Sequence, residues 1–188
     1  MRESRLQGLN IFLVGMMGSG KSSVGRVLAE KLGYRFFDTD VLIERIAHRP
    51  IAEIFATEGE DYFRELETKV LNQLSVETRC AIATGGGMVL KPLNWSYLHY
   101  GLIVWLDAPV ELLATRLAED TTRPLLNKSE RSSQLQSLLD ARRSLYRQAD
   151  LQIAIAAEQT PAEICDRIIE QIPTVLKTPT PSPTSDNS

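Results

Sequence analysis

Short all-apolar runs alternate along this chain with stretches in which apolar residues recur every three or four positions. Leu9-Asn10-Ile11-Phe12-Leu13-Val14 reads as a buried strand. Val24, Val27, Leu28 and Leu32 then fall on one face of a helix that stops at Gly33. Arg35-Phe36-Phe37-Asp38 gives a second strand, and helical pieces follow at 41–47 and 51–55. A longer helix opens at Gly59, with Phe63, Leu66, Val70, Leu71 and Leu74 as its buried stripe. Strands are expected at 80–84, 102–106 and 151–155, and helices at 90–100, 110–117 and 134–146. A last helix starts at Thr160-Pro161, an N-cap followed by a first-turn proline. Five strands separated by helices predict one α/β domain with a mainly parallel five-stranded sheet and right-handed crossovers.

The turn after the first strand carries chemistry. Gly15-Met16-Met17-Gly18-Ser19-Gly20-Lys21-Ser22 fills every fixed position of the G-x-x-x-x-G-K-[ST] pattern, between a strand and a helix. Glycine lets the main chain curl until several amides point at one phosphate, and the helix N-terminus adds partial positive charge. Lys21 is suited to the β- and γ-phosphates, and the Ser22 hydroxyl to a magnesium ion. The motif specifies a nucleoside triphosphate and leaves the phosphate acceptor open.

Composition narrows the partners. At 188 residues and 43% apolar content the chain can build one substantial core, and a formal charge of −3 argues against a nucleic-acid surface. Cys80 and Cys165 form no metal or disulfide pattern. No run reaches the roughly eighteen apolar residues of a membrane span, and residues 1–5 lack a secretory core. A cytoplasmic, monomeric protein with small-molecule substrates is expected, without nucleic-acid or membrane partners. Residues 1–8 read as an N-terminal tail, 9–172 as the domain, and 173–188, rich in Pro, Thr and Ser, as a disordered tail. From 118 to 133 the apolar periodicity lapses, as in a mobile lid.

Several polar clusters admit two readings from spacing alone. Asp38 and Asp40 can cap a helix or serve a site at a strand end. Arg64 lies beside its helix's apolar stripe, where a solvated surface charge is the usual outcome. Gly85-Gly86-Gly87 is a flexible turn or a close approach to a ligand at the C-terminal end of a strand. Asp107 could hold a metal, but Ala108-Pro109 after it favours a cap or turn. Arg142-Arg143 suit a helix C-terminus electrostatically.

Six motifs in order resemble the shikimate kinases, P-loop small-molecule kinases related to nucleoside monophosphate kinases, over roughly residues 9–172. They are Gly15 to Ser22; Phe36-Phe37-Asp38-Thr39-Asp40 as F-x-D-x-D; Phe63-Arg64 with Glu67 as F-R-x-x-E; and the triple glycine. The last two are Arg123-Pro124-Leu125-Leu126 as R-P-L-L, and Arg142 with Leu145-Tyr146 as R-x-x-L-Y. The resemblance implies a three-layer P-loop kinase fold with helices on both faces of the sheet and a mobile lid. It implies ATP-dependent, Mg2+-requiring phosphorylation of the shikimate 3-hydroxyl, giving 3-phosphoshikimate and ADP for aromatic amino-acid biosynthesis.

It also assigns roles. Gly18, Ser19, Gly20, Lys21, Ser22 and Ser23 would hold the ATP phosphates, with Arg116 and Pro161 at adenine. Asp40, Arg64, Gly85, Gly86, Gly87 and Arg142 would bind shikimate, the two arginines clamping its carboxylate as planar forks. Asp40 would accept or orient the hydroxyl proton, while Lys21 and Arg123 stabilise the transferred phosphoryl group. Ser22 and Asp38, rather than Asp107, would hold the magnesium ion. Ile51, Phe55, Phe63, Pro124 and Leu125 resemble the apolar wall around the substrate ring. Ser144, where the family often has Pro, and Gln159, where an Arg is found nearby, depart from the pattern without touching the central chemistry.

The rivals are a kinase acting on gluconate or a nucleotide, and a binding protein that kept the fold but lost turnover. A nucleotide acceptor does not call for Asp40, Arg64 and Arg142 together, and a protein without turnover would be expected to have lost Lys21, Asp38 or Asp40.

Overall fold

The computed structural model describes residues 6–118 and 128–176. Its five strands are β1 (Ile11–Val14), β2 (Arg35–Asp38), β3 (Cys80–Ala83), β4 (Leu102–Asp107) and β5 (Leu151–Ala154). They lie in the order β2-β3-β1-β4-β5, and every neighbouring pair is parallel. Around the sheet pack α1 (Lys21–Leu32), α2 (Thr39–Ala47), α3 (Ile51–Thr57), α4 (Gly59–Ser75), α5 (Pro92–Leu98), α6 (Val110–Ala118), α7 (Lys128–Tyr146) and α8 (Pro161–Val175).

The central strand explains the order. Each residue of β1 is buried with no exposed surface, as a strand covered on both faces requires. Each such side chain contributes about 1.5–3 kcal/mol relative to exposure. Leu13 pairs with Ala83 on one side and Val104 on the other. The chain thus leaves β1 flanked by two strands, and the loop that follows opens at the C-terminal edge of the sheet. Asp38, Gly85 and Asp107 follow or end the neighbouring strands at the same edge, where parallel sheets present ligand sites.

Four boundaries differ from the sequence pattern. The expected helix at 90–100 divides into a 3-10 turn, Met88–Leu90, and α5, because Pro92 has no amide to donate backward and instead occupies the first turn. Residues 128–133, expected in a lid, are the first turns of α7; Glu130 and Arg131 are good helix formers in a stretch without an apolar stripe. The rest of the expected lid, including Arg123, Pro124, Leu125 and Leu126, lies outside the described residues. Helix α8 runs to Val175 with Pro173 near its end, so the domain passes 172, and residues 177–188 lie outside the description. At the other end Leu6 is buried, and the Gly8 carbonyl accepts the Arg79 amide at 2.8 Å. The segment 6–8 therefore packs onto the domain instead of forming a free tail. No described helix is long and apolar enough to cross a membrane.

Candidate active site

The loop between β1 and α1 takes backbone shapes that side chains resist. Gly15, Gly18 and Gly20 have φ of 143°, 79° and 94°, and a Cβ on Gly15 would sit 2.7 Å from the Leu106 carbonyl oxygen. Lys21 curls back over this loop, its Nζ donating to the carbonyls of Gly15 (2.9 Å) and Met16 (2.8 Å). Burial pushes its ammonium down to about 8, against the pull of Asp40 and then Asp38. Arg116 reaches across from α6 to donate to the Gly18 carbonyl at 3.1 Å.

Asp38 uses its two carboxylate oxygens differently. Its Oδ1 accepts the amides of Asp40 and Val41 as the N-cap of α2, at 3.0 and 3.4 Å. Its Oδ2 accepts the Ser22 hydroxyl at 2.5 Å. This pairing sets a hydroxyl and a carboxylate oxygen side by side next to the phosphate loop. Among the described residues no group of three His, Cys, Asp or Glu side chains could hold a metal. Magnesium is suited to such a site, since it takes one or two protein oxygens and fills its shell with water and phosphate. Asp107 is elsewhere: its Oδ2 accepts from Gln152 Nε2 at 2.8 Å, and it borders a separate 450 Å³ cavity with Arg143.

Arg64 is not a solvated charge. Its side chain is 15% exposed and held from two sides within its own helix. Glu67 Oε2 accepts Nη1 at 2.6 Å, and Glu60 Oε1 accepts Nη2 at 2.8 Å and Nε at 3.2 Å. The guanidinium lies so close over Gly87 that a Cβ there would stand 2.1 Å from Nη1. Glu67 is buried, with Oε1 lacking a hydrogen-bond partner among the described residues. Burial raises its carboxyl above the ordinary value although Arg64 opposes the shift, and Asp40 adds to it. A Cβ on Gly85 would fall 2.6 Å from Glu67 Oε1 and 2.8 Å from Asp40 Oδ1. The two carboxylates therefore converge on the triple-glycine turn.

That turn is tied to distant parts of the chain. The Gly85 amide donates to Thr39 Oγ1 at 3.0 Å. The Gly86 carbonyl accepts both Arg142 Nη1 (3.2 Å) and the Tyr146 hydroxyl (2.8 Å) from α7. The arginine pair of α7 is thus divided, Arg142 to this turn and Arg143 to the Asp107 cavity.

Two cavities result. One, of about 550 Å³, follows the phosphate loop from Met17 to Val24 and extends to Arg116, Gln159 and Pro161. The other, of about 890 Å³, gathers Asp40, Arg64, Glu67, the three glycines and Arg142, with Ile51, Phe55 and Phe63 as an apolar wall. Met17, Asp38, Asp40 and Gly86 line both. The site residues expected from sequence are brought to this pair of cavities, except Arg123, Pro124 and Leu125, which lie outside the described residues. Sequence reasoning missed a role for Glu67, Glu60, Thr39 and Tyr146. A trace of the first two was present, since carboxylates at i−4 and i+3 from an arginine share its helix face.

The chain matches the shikimate kinase family model over residues 17–173. It is 58% identical to the shikimate kinase of Microcystis aeruginosa over 172 residues, covering 92% of this chain and 90% of that protein. It is 56% identical to that of Rippkaea orientalis over 172 residues, covering 92% of each. Among solved structures, the shikimate kinase of Acinetobacter baumannii in complex with shikimate aligns with a TM-score of 0.82 and 40% identity. That alignment covers 93% of this chain and 98% of the other.

Proposed function

This chain belongs to the shikimate kinase family, and we propose from its site that it transfers the γ-phosphoryl group of ATP to the 3-hydroxyl of shikimate. The observation that carries the reading is the shared wall. A cavity along the phosphate loop meets one holding the Arg64 and Arg142 guanidinium groups beside Glu67, with Asp38 and Asp40 at the junction.

The donor lies along the loop amides, with Lys21 turning from the Gly15 and Met16 carbonyls to the β- and γ-phosphates. Arg116 and Pro161 border the outer end, where adenine would rest. Arg64 and Arg142 take the acid's carboxylate, and the Gly85 to Gly87 turn and Asp40 take its hydroxyls. Asp40 then accepts or orients the proton of the attacking hydroxyl, while Lys21 offsets charge on the phosphoryl group. Arg123 would add a second positive charge. Ser22 and Asp38 would hold a magnesium ion, which when bound neutralises phosphate charge and fixes the donor. The protein's contribution is mainly alignment, and the Asp40 carboxylate at the junction sets the acceptor in line.

Coupled ADP release measured with shikimate, gluconate and AMP tests this. Turnover is expected with shikimate; turnover with AMP or gluconate but not shikimate overturns it.

A further inference from the structure

The Tyr146 ring is fully buried at the C-terminal end of α7, stacked on Trp105 with ring centres 5.7 Å apart. Packing accounts for the ring and not for the hydroxyl, which donates to a single main-chain oxygen, that of Gly86, at 2.8 Å. Arg142 Nη1 donates to the same oxygen at 3.2 Å. Both lone pairs of one carbonyl are thereby engaged by side chains one helical turn apart. Burial raises the phenol's pKa, with the neighbouring Arg142 opposing, so the hydroxyl keeps its proton at neutral pH.

The carbonyl's direction has a consequence for the turn. The described chain has no cis peptide, so fixing the Gly86 oxygen toward α7 turns the Gly87 amide away from α7. Neither the Gly86 nor the Gly87 amide donates to a backbone carbonyl among the described residues. Both glycines line the larger cavity, as does Arg142. One hydroxyl therefore sets a peptide plane whose amide is open for use and shares an acceptor with an arginine of the same wall.

We infer that Tyr146 is a positioning residue for the acid substrate: its hydroxyl locks the Gly86–Gly87 peptide and the Arg142 guanidinium in the orientation that receives a polyhydroxylated carboxylate. The inference rests on the proposed acceptor site. Of the groups it orients, Gly86 borders both cavities, whereas Gly87 and Arg142 line only the larger one, so the effect falls on the acid rather than on the donor.

Tyr146→Phe removes the hydroxyl and keeps the ring on Trp105. The variant is expected to raise the KM for shikimate about three- to tenfold, as the loss of one buried hydrogen bond would. The KM for ATP and the melting temperature should stay close to those of the parent. Unchanged KM for both substrates, with or without a lower melting temperature, would show that the residue only packs. A parallel rise in both KM values would show general distortion. Either result overturns the inference. If the variant does not fold, the parent protein still decides by amide NMR with shikimate alone. The Gly86 and Gly87 resonances should move on titration to saturation, and stationary resonances would overturn the inference. A parent protein that fails to bind or phosphorylate shikimate would instead refute the activity itself, so the two failures are distinguishable.

Discussion

Gly87 offers a test in which one methyl group reports on the acid clamp. A Cβ at this position would stand 2.1 Å from Arg64 Nη1, 2.5 Å from Cζ and 2.6 Å from Nη2. An unstrained contact needs about 3.4 Å or more, so the guanidinium must retreat by roughly 1.3 Å. It cannot do so freely, because Glu67 holds Nη1 at 2.6 Å and Glu60 holds Nη2 at 2.8 Å. The backbone itself tolerates alanine, since Gly87 has φ of −94° and ψ of 1°. Gly87→Ala should therefore leave the fold and the phosphate loop intact while displacing Arg64 from the acid's carboxylate. Loss of a charge-assisted hydrogen bond is worth about 1.5–3 kcal/mol, which corresponds to about ten- to hundredfold in affinity. Steady-state kinetics with each substrate varied in turn should give a shikimate KM raised by that factor and an unchanged KM for ATP. A variant with the parent's shikimate KM would refute the claim that Arg64, fixed over this glycine, grips the acid.

Three other perturbations probe separate parts of the site. Asp40→Asn should lower kcat by roughly ten- to ten-thousandfold if the carboxylate takes the hydroxyl proton; single-turnover rates equal to the parent's would remove it from that role. Ser22→Ala removes one of the two adjacent oxygens beside the phosphate loop. The Mg2+ concentration for half-maximal rate should rise by about tenfold, and an unchanged metal titration would show that the ion is held elsewhere. Lys21 has its ammonium pushed down to about 8 by burial, below the ordinary 10.5 of the unfolded chain. Between these values the unfolded state binds more protons, so this group's contribution to stability improves as pH rises from 8 toward 10.5. Relative to Lys21→Met, the parent's melting temperature should gain across that window, and a constant difference would contradict the assigned burial.

What the sequence disclosed and what it withheld have physical causes. The phosphate loop was legible because its chemistry is local: glycines, a lysine and a serine act from consecutive positions between β1 and α1. The strands were legible because burial on both faces demands uninterrupted apolar runs. Thr160 likewise announced α8, and the structure adds its reciprocal partner Glu163 in a capping box. Convergence is not local, and there spacing failed. Arg64 looked like a surface charge because its burial comes from the Gly87 turn, which folds over it from another element. Glu67 carried no sign that it would be buried beside Asp40, from a different helix. Tyr146 stood in the R-x-x-L-Y motif without a role, because its hydroxyl meets the Gly86 carbonyl from sixty positions away. The start of α7 escaped for the opposite reason, since intrinsic propensity there acts without an apolar face to reveal it.

A crystal structure of the protein with shikimate and a non-hydrolysable ATP analogue tests the central claim most directly. The account predicts the acid's carboxylate within hydrogen-bond reach of Arg64 and Arg142, its 3-hydroxyl beside Asp40, and the terminal phosphate of the analogue between that hydroxyl and Lys21. A complex with the acid bound outside the cavity that joins these residues, or with its carboxylate turned toward Asp40, would contradict it.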